Sequence, residues 1–191
     1  MIKREYKEIY NYCLASQETD SIKLVNRIMD FKKVSMHGPI HHFIVPAVLL
    51  TCYNNLTGGD KKTLSKQLKI AAARAKVVPG GNCANCGACG AALGYGQFAS
   101  IITENSPLST DSWSKVMEIT SLCSLEISKH GGPRCCKRDV YLALITGSRE
   151  LNKHFDINIK ADKPLCKYFP KNQECLKQKC LFYPQKKIID N

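Results

Sequence analysis

The sequence lacks any long apolar run. Its most apolar stretch, Phe43 to Tyr53, is too short to span a bilayer and carries Pro46, so no membrane association is expected. The N-terminus, Met1-Ile2-Lys3-Arg4-Glu5-Tyr6-Lys7-Glu8, is too charged for a signal peptide, and a cytoplasmic location is expected. Convincing period-two alternation is missing throughout, which excludes a sheet-built fold. No strand leads into a Gly-x-Gly-x-Gly-type nucleotide loop, which excludes a methyltransferase reaction for this chain. Acidic residues are scarce, 16 against 28 Lys and Arg, and the formal net charge is +12. The basic residues are densest at Lys61, Lys62, Lys66, Lys69, Arg74 and Lys76 and again from Lys163 to Lys187. They come without the arginine and aromatic signature of an RNA-binding module. They read as a solvated basic face that attracts an anionic small-molecule substrate or an acidic protein partner, with nucleic acid as the alternative. An even cysteine count is also missing. Eleven cysteines do not make a complete disulfide framework, and where thiols are kept reduced such a load points to metal binding or redox chemistry.

What is present is helical periodicity. A chain of 191 residues suits one all-α domain over 1–191, with a helical core over 1–160 and a Cys/aromatic tail over 161–191. Tyr6, Ile9, Tyr10 and Cys13 share one helix face, and Ile22, Val25 and Met29 another. A third helix starts at His37-Gly38-Pro39 and runs to Leu56, with a kink expected at Pro46; having no polar face, it reads as central and buried. Asp60 caps a fourth helix with Leu64, Leu68, Ala71, Ala72 and Ala75 as its stripe. A short helix is expected over Ala91 to Thr103. The next is capped by Ser109, Thr110 or Asp111 and buries Trp113, Val116, Met117, Cys123 and Ile127. The last, from Cys135 to about Glu150, carries Val140, Ala143, Leu144 and Leu151.

Between the fourth helix and the next lies a Gly/Cys loop, 79–96, holding Cys83, Cys86 and Cys89 at successive third positions among Gly80, Gly81, Gly87 and Gly90. Three thiolates on one flexible loop match the first three ligands of the bacterial iron–sulfur run, and Leu93-Gly94 stands where its fourth cysteine and proline would fall. Two helix starts share a scheme: His37-Gly38-Pro39-Ile40-His41-His42 and His130-Gly131-Gly132-Pro133-Arg134-Cys135-Cys136. A helix N-terminus together with Arg134, Lys137 and Arg138 is expected to lower the pKa of Cys135 or Cys136. The alternative is that Gly-Pro merely starts two helices and the cysteines are small buried residues. In the tail, Cys166-Lys167-Tyr168-Phe169-Pro170 recurs as Cys180-Leu181-Phe182-Tyr183-Pro184 with Cys175 between. Cys166, Cys175 and Cys180 are candidates for a second metal site, with Cys13 or His154 as a fourth ligand, or pack with the aromatics.

The motifs containing His37-Gly38-Pro39 with His41-His42, Pro79-Gly80-Gly81-Asn82-Cys83 with Cys86 and Cys89, and Gly131-Gly132-Pro133-Arg134-Cys135-Cys136-Lys137-Arg138 together resemble a domain-of-unknown-function family. Members occur alone or attached to S-adenosylmethionine-dependent methyltransferase domains. The resemblance covers most of the chain. It implies that the three motifs belong together and that methyl or sulfur metabolism is nearby, and it brings no established activity. The expected function is an iron–sulfur protein holding a 4Fe-4S cluster on Cys83, Cys86 and Cys89. Gly80, Gly81, Asn82, Arg134 and Lys137 are the expected cofactor-binding residues, and Cys135, Cys136, His41 and His42 the catalytic candidates of a lyase or desulfidase-type enzyme with an open iron. The alternatives are an electron-transfer or metal/sulfur-delivery protein, and a zinc-stabilised binding module.

Overall fold

Apolar residues three and four apart put one greasy stripe on each segment, and burying those stripes against one another determines the architecture. The computed structural model describes residue 2 and residues 4–185. Met1 and Lys3 of the charged N-terminus, and residues 186–191 of the tail, lie outside the described residues. Among the described residues the fold is all-α: α1 (Lys7–Ala15), α2 (Ser21–Met29), α3 (Ile40–Leu56), α4 (Lys61–Lys76), the single turn α5 (Asn82–Asn85), α6 (Gly90–Ile102), α7 (Asp111–Ser128) and α8 (Cys136–Phe155). Two 3-10 turns, Phe169–Lys171 and Lys177–Lys179, punctuate the tail.

The centre is α3, buried on every side from Ile40 to Cys52 because it has no polar stripe to offer water. Around it pack α1, α2, α4, α6 and α8, with α7 outside, against α6 and α8. Capping follows the sequence at α4 but not at α7, where Thr110 holds the N-cap position without a side-chain cap hydrogen bond. The Asp60 carboxylate accepts from the amides of Lys62 and Thr63 at 2.7 and 2.8 Å, and Asp20 does the same for Ile22 and Lys23. The stripe from Leu64 to Ala75 is buried as expected. On α7 the expectation is half corrected: Val116, Ile119 and Cys123 go inward, whereas Trp113 and Met117 are 47% and 53% exposed. The tail folds back over α8 and α2, where Phe182 stacks edge-on with Tyr141 at 5.3 Å. The Tyr168 hydroxyl donates to the carbonyl of Asn26 and to Asp30.

Candidate functional site

The Gly/Cys loop is shaped by two left-handed glycines, Gly81 at φ +80° and Gly87 at φ +65°, a conformation that side chains resist. Gly81 turns the chain into α5, and the Asn82 side-chain amide closes the loop by donating to the carbonyl of Ala88 at 2.9 Å. Cys83 and Cys86 stand three residues apart on this one turn, with Cys86 exposed and Cys83 half-buried. Cys89 is the N-cap of α6 and turns inward, its thiol donating to Asp139 Oδ2 at 3.8 Å.

The starts of α3 and α8 meet this loop. Gly80 packs on Pro39, and a Cβ at Gly90 would overlap the His42 ring. His42 Nδ1–H donates to the carbonyl of Val78 at 3.2 Å, and burial lowers its pKa. His41 Nδ1–H donates to the carbonyl of Gly38 at 3.0 Å, while its buried Nε2 has no hydrogen-bond partner. Burial first, and then Lys137, push its pKa down to about 3, so it is a neutral imidazole. From α8, the Cys136 sulfur faces the amide of Gly38, and its titration feels Cys83. Cys83 also acts on Cys89. Asp139, one turn into α8, is held by Arg138 Nε at 3.3 Å, and burial raises its pKa. Lys137 is buried, donates to the carbonyl of Met29 at 3.3 Å and lies 4.3 Å from the centre of the Tyr168 ring. Burial lowers its pKa to about 8. Arg134 is exposed.

Cys135 points the other way. It is the non-helical N-cap of α8, so its side chain diverges from that of Cys136. Asn172 Nδ2 donates to its sulfur at 3.7 Å, and Asn172 Oδ1 accepts from His37 Nε2–H at 3.2 Å. Together with Cys166, Cys175 and Cys180 it lines a small apolar cavity of about 20 Å³, capped by Phe169 and Phe182. Cys13 and His154, expected as partners for these tail cysteines, lie elsewhere. Cys13 is in the core beside Thr51, and His154 faces Glu118 and Glu150.

Two expectations are overturned. The doublet thiols are not lowered: burial pushes Cys135 up to about 11 and raises Cys136, outweighing the opposing amides and the Arg138 and Arg134 charges. Burial likewise lifts Cys89 to about 12. Second, among the described residues no three His, Cys, Asp or Glu side chains are grouped so that they could hold a metal ion. This corrects the metal-binding loop, the iron–sulfur or zinc cofactor and the open-iron enzyme, and with them the metal-carrying and zinc-module alternatives. The reason lies in the loop: Cys86 faces outward, while Cys89 is committed to Asp139 and the start of α6.

Asp139, His37 and Asn172 were not singled out from sequence as site residues. His37 stood in the first of the shared helix starts, and Asp139 left a trace as the acid that directly follows the Lys137-Arg138 pair, one turn after Cys135. Among the described residues no helix is long and apolar enough to cross a membrane.

Residues 9–183 match the model of a family of unknown function (DUF5714), and the chain belongs to that family. No curated protein and no solved structure matches it.

Proposed function

We propose that this protein is a dithiol–disulfide exchange protein working through Cys83 and Cys86. The observation that carries this reading is one exposed free thiol a single helical turn from a half-buried one, backed by Cys89 and Cys136. Cys83 lies in the single turn α5 and Cys86 is its C-cap, so the two thiols sit on one short turn that an adjustment of the loop can close toward disulfide geometry. The left-handed glycines that bracket the turn supply that freedom.

The exchange balances without a metal. The Cys86 thiolate attacks one sulfur of a substrate disulfide, forming a mixed disulfide and releasing the first substrate thiolate, which takes a proton. Cys83 then gives up its proton and attacks Cys86 Sγ; the protein disulfide forms and the second substrate thiol leaves. Two protons and two electrons pass from protein to substrate, and an external dithiol reverses the change.

The net charge of +12 favours encounter with a disulfide on an anionic small molecule or an acidic protein. A methyltransferase is the protein partner to which the family resemblance points, and a reducing cytoplasm is the setting that suits eleven free thiols.

The test equilibrates the protein in mixtures of reduced and oxidised dithiothreitol, quenches with acid, alkylates and maps the cysteines by mass spectrometry. Cys83 and Cys86 are expected to change together as one two-electron couple, lost in Cys86→Ser while the far-ultraviolet circular dichroism is unchanged. Independent alkylation of the two thiols at every poise would overturn the reading.

A further inference from the structure

A pocket of about 300 Å³ opens between the end of α2, the connection from α2 to α3, the start of α8 and the tail. That volume is at the small end of the range, about 300–1,000 Å³, in which small-molecule sites fall. No cysteine lines the pocket, so it stands apart from the chemistry of Cys83 and Cys86. Met29, Phe31, Val34 and Met36 give it an apolar wall, and Tyr168 an aromatic one.

One charge in that lining lacks its counterpart. Lys137 is only 3% exposed, and its amine is fixed at the pocket wall, because both groups that hold it line the same pocket. The carbonyl of Met29 accepts from Nζ at 3.3 Å, and the centre of the Tyr168 ring lies 4.3 Å away. An ammonium carries three donors, and here the single acceptor stands just beyond the usual range of about 2.7–3.2 Å. The ring face attracts the charge without taking up the remaining N–H groups. Asp30 also lines the pocket, yet its two oxygens are already engaged, by Lys167 Nζ at 2.6 Å and by the Tyr168 hydroxyl at 3.1 Å. Among the described residues no carboxylate pairs with Lys137. Buried charges are ordinarily paired, so this cation is one whose counter-ion the chain does not supply. Burial brings its pKa down to about 8, and the ammonium still predominates at neutral pH. Lys32 and Lys171, both exposed, add two further cations at the mouth.

We propose that this pocket binds a small carboxylate with a branched or aryl body. The carboxylate accepts from Lys137 Nζ at the wall, Lys32 and Lys171 draw it in from the mouth, and the apolar body lies against Met29, Phe31, Val34 and the face of Tyr168. No arginine lines the pocket, and one compact ammonium among apolar walls suits a singly charged head better than a phosphate. The site goes beyond thiol exchange and does not depend on it.

The test titrates the isotope-labelled protein at pH 7 with 4-methylpentanoate, and in parallel with neutral 4-methylpentanamide and with inorganic phosphate, following the backbone amides by nuclear magnetic resonance. The carboxylate is expected to give saturable shifts at residues 29–36, 137 and 168–171, and the amide to bind at least tenfold more weakly. Lys137→Met keeps an apolar stem of similar length. It should weaken the carboxylate at least tenfold and leave the amide unchanged, which separates loss of the charge from loss of the fold. Lys32→Glu combined with Lys171→Glu alters only exposed side chains and should weaken the carboxylate at least fivefold with unchanged far-ultraviolet circular dichroism. Equal affinity for acid and amide would overturn the proposal, as would tighter binding of phosphate or undiminished carboxylate affinity in Lys137→Met. Where that variant does not fold, undiminished affinity in the double variant decides against the proposal in the same way. Absence of saturable shifts at millimolar carboxylate also overturns it, and leaves the exchange reading of Cys83 and Cys86 standing.

Discussion

Burial governs the ionisable side chains of the site. A helix N-terminus contributes up to about 2 kcal/mol to an anion, whereas full desolvation moves a pKa by as much as 3–5 units, about 4–7 kcal/mol. Cys135 obeys desolvation and rises to about 11 despite its position at the start of α8. His41 shows the same balance in a base. It resists protonation down to about pH 3 when folded, against an ordinary 6.5. Between those values the unfolded chain binds a proton that the folded chain does not, so stability is present above pH 6.5 and lost as the pH falls. From pH 7 to pH 5, His41 alone is expected to cost about 2 kcal/mol, and His42, also lowered, acts in the same direction. Urea unfolding at pH 7, 6 and 5 measures the slope, and His41→Gln should flatten it. An unchanged slope in that variant would show that the acid sensitivity lies elsewhere.

The helices are placed by glycine and proline as much as by apolar stripes. Pro46 removes an amide from the middle of α3, and the carbonyl of His42, four residues earlier, loses its usual partner. Gly94 of α6 sits against this point: a Cβ there would lie 2.9 Å from Pro46 Cδ and 3.0 Å from that carbonyl. At Gly90 the His42 ring occupies the place of a side chain. Gly90→Ala should therefore cost about 1–3 kcal/mol, read from urea melts, and displace His42 from Val78. Loss of less than a few tenths would mean that the start of α6 is free to move. On α7, Val116, Ile119 and Cys123 form one helical stripe and Trp113, Met117 and Leu125 another. The second stripe is outside, so Met117→Lys and Leu125→Lys should each change stability by no more than about 0.5 kcal/mol. Trp113, the sole tryptophan, should be quenched readily by acrylamide.

The cysteines sort into three environments across the fold, and alkylation rates should report them. Cys86, exposed, reacts first; the half-buried loop and tail thiols follow; Cys13, Cys52 and Cys123 react only on unfolding, as burial pushes the pKa of each upward. Rapid labelling of Cys123 in the native protein would contradict the packing of α7 on α8.

Periodicity was enough to place the seven longer helices and capping chemistry the start of α4, whereas the single turn α5 lay inside what the sequence showed as a loop. Asp60 had to cap because its carboxylate satisfies amides that nothing else reaches, and α3 had to be central because it offers water no polar face. The grouping of the three motifs was implied by the family resemblance. Spacing, however, counts thiols without saying where each one points. One backbone dihedral pair separates Cys135 from Cys136 and sends them to different clusters, and the turn at α5 turns Cys86 out while Cys89 goes in. The metal expectation failed on those directions. The partners that define the site, Asp139 for Cys89 and Asn172 for Cys135, lie 50 and 37 residues away in the chain. Only the packing of α6, α8 and the tail brings them together, because contacts at such separations depend on how whole helices dock, which no local pattern encodes.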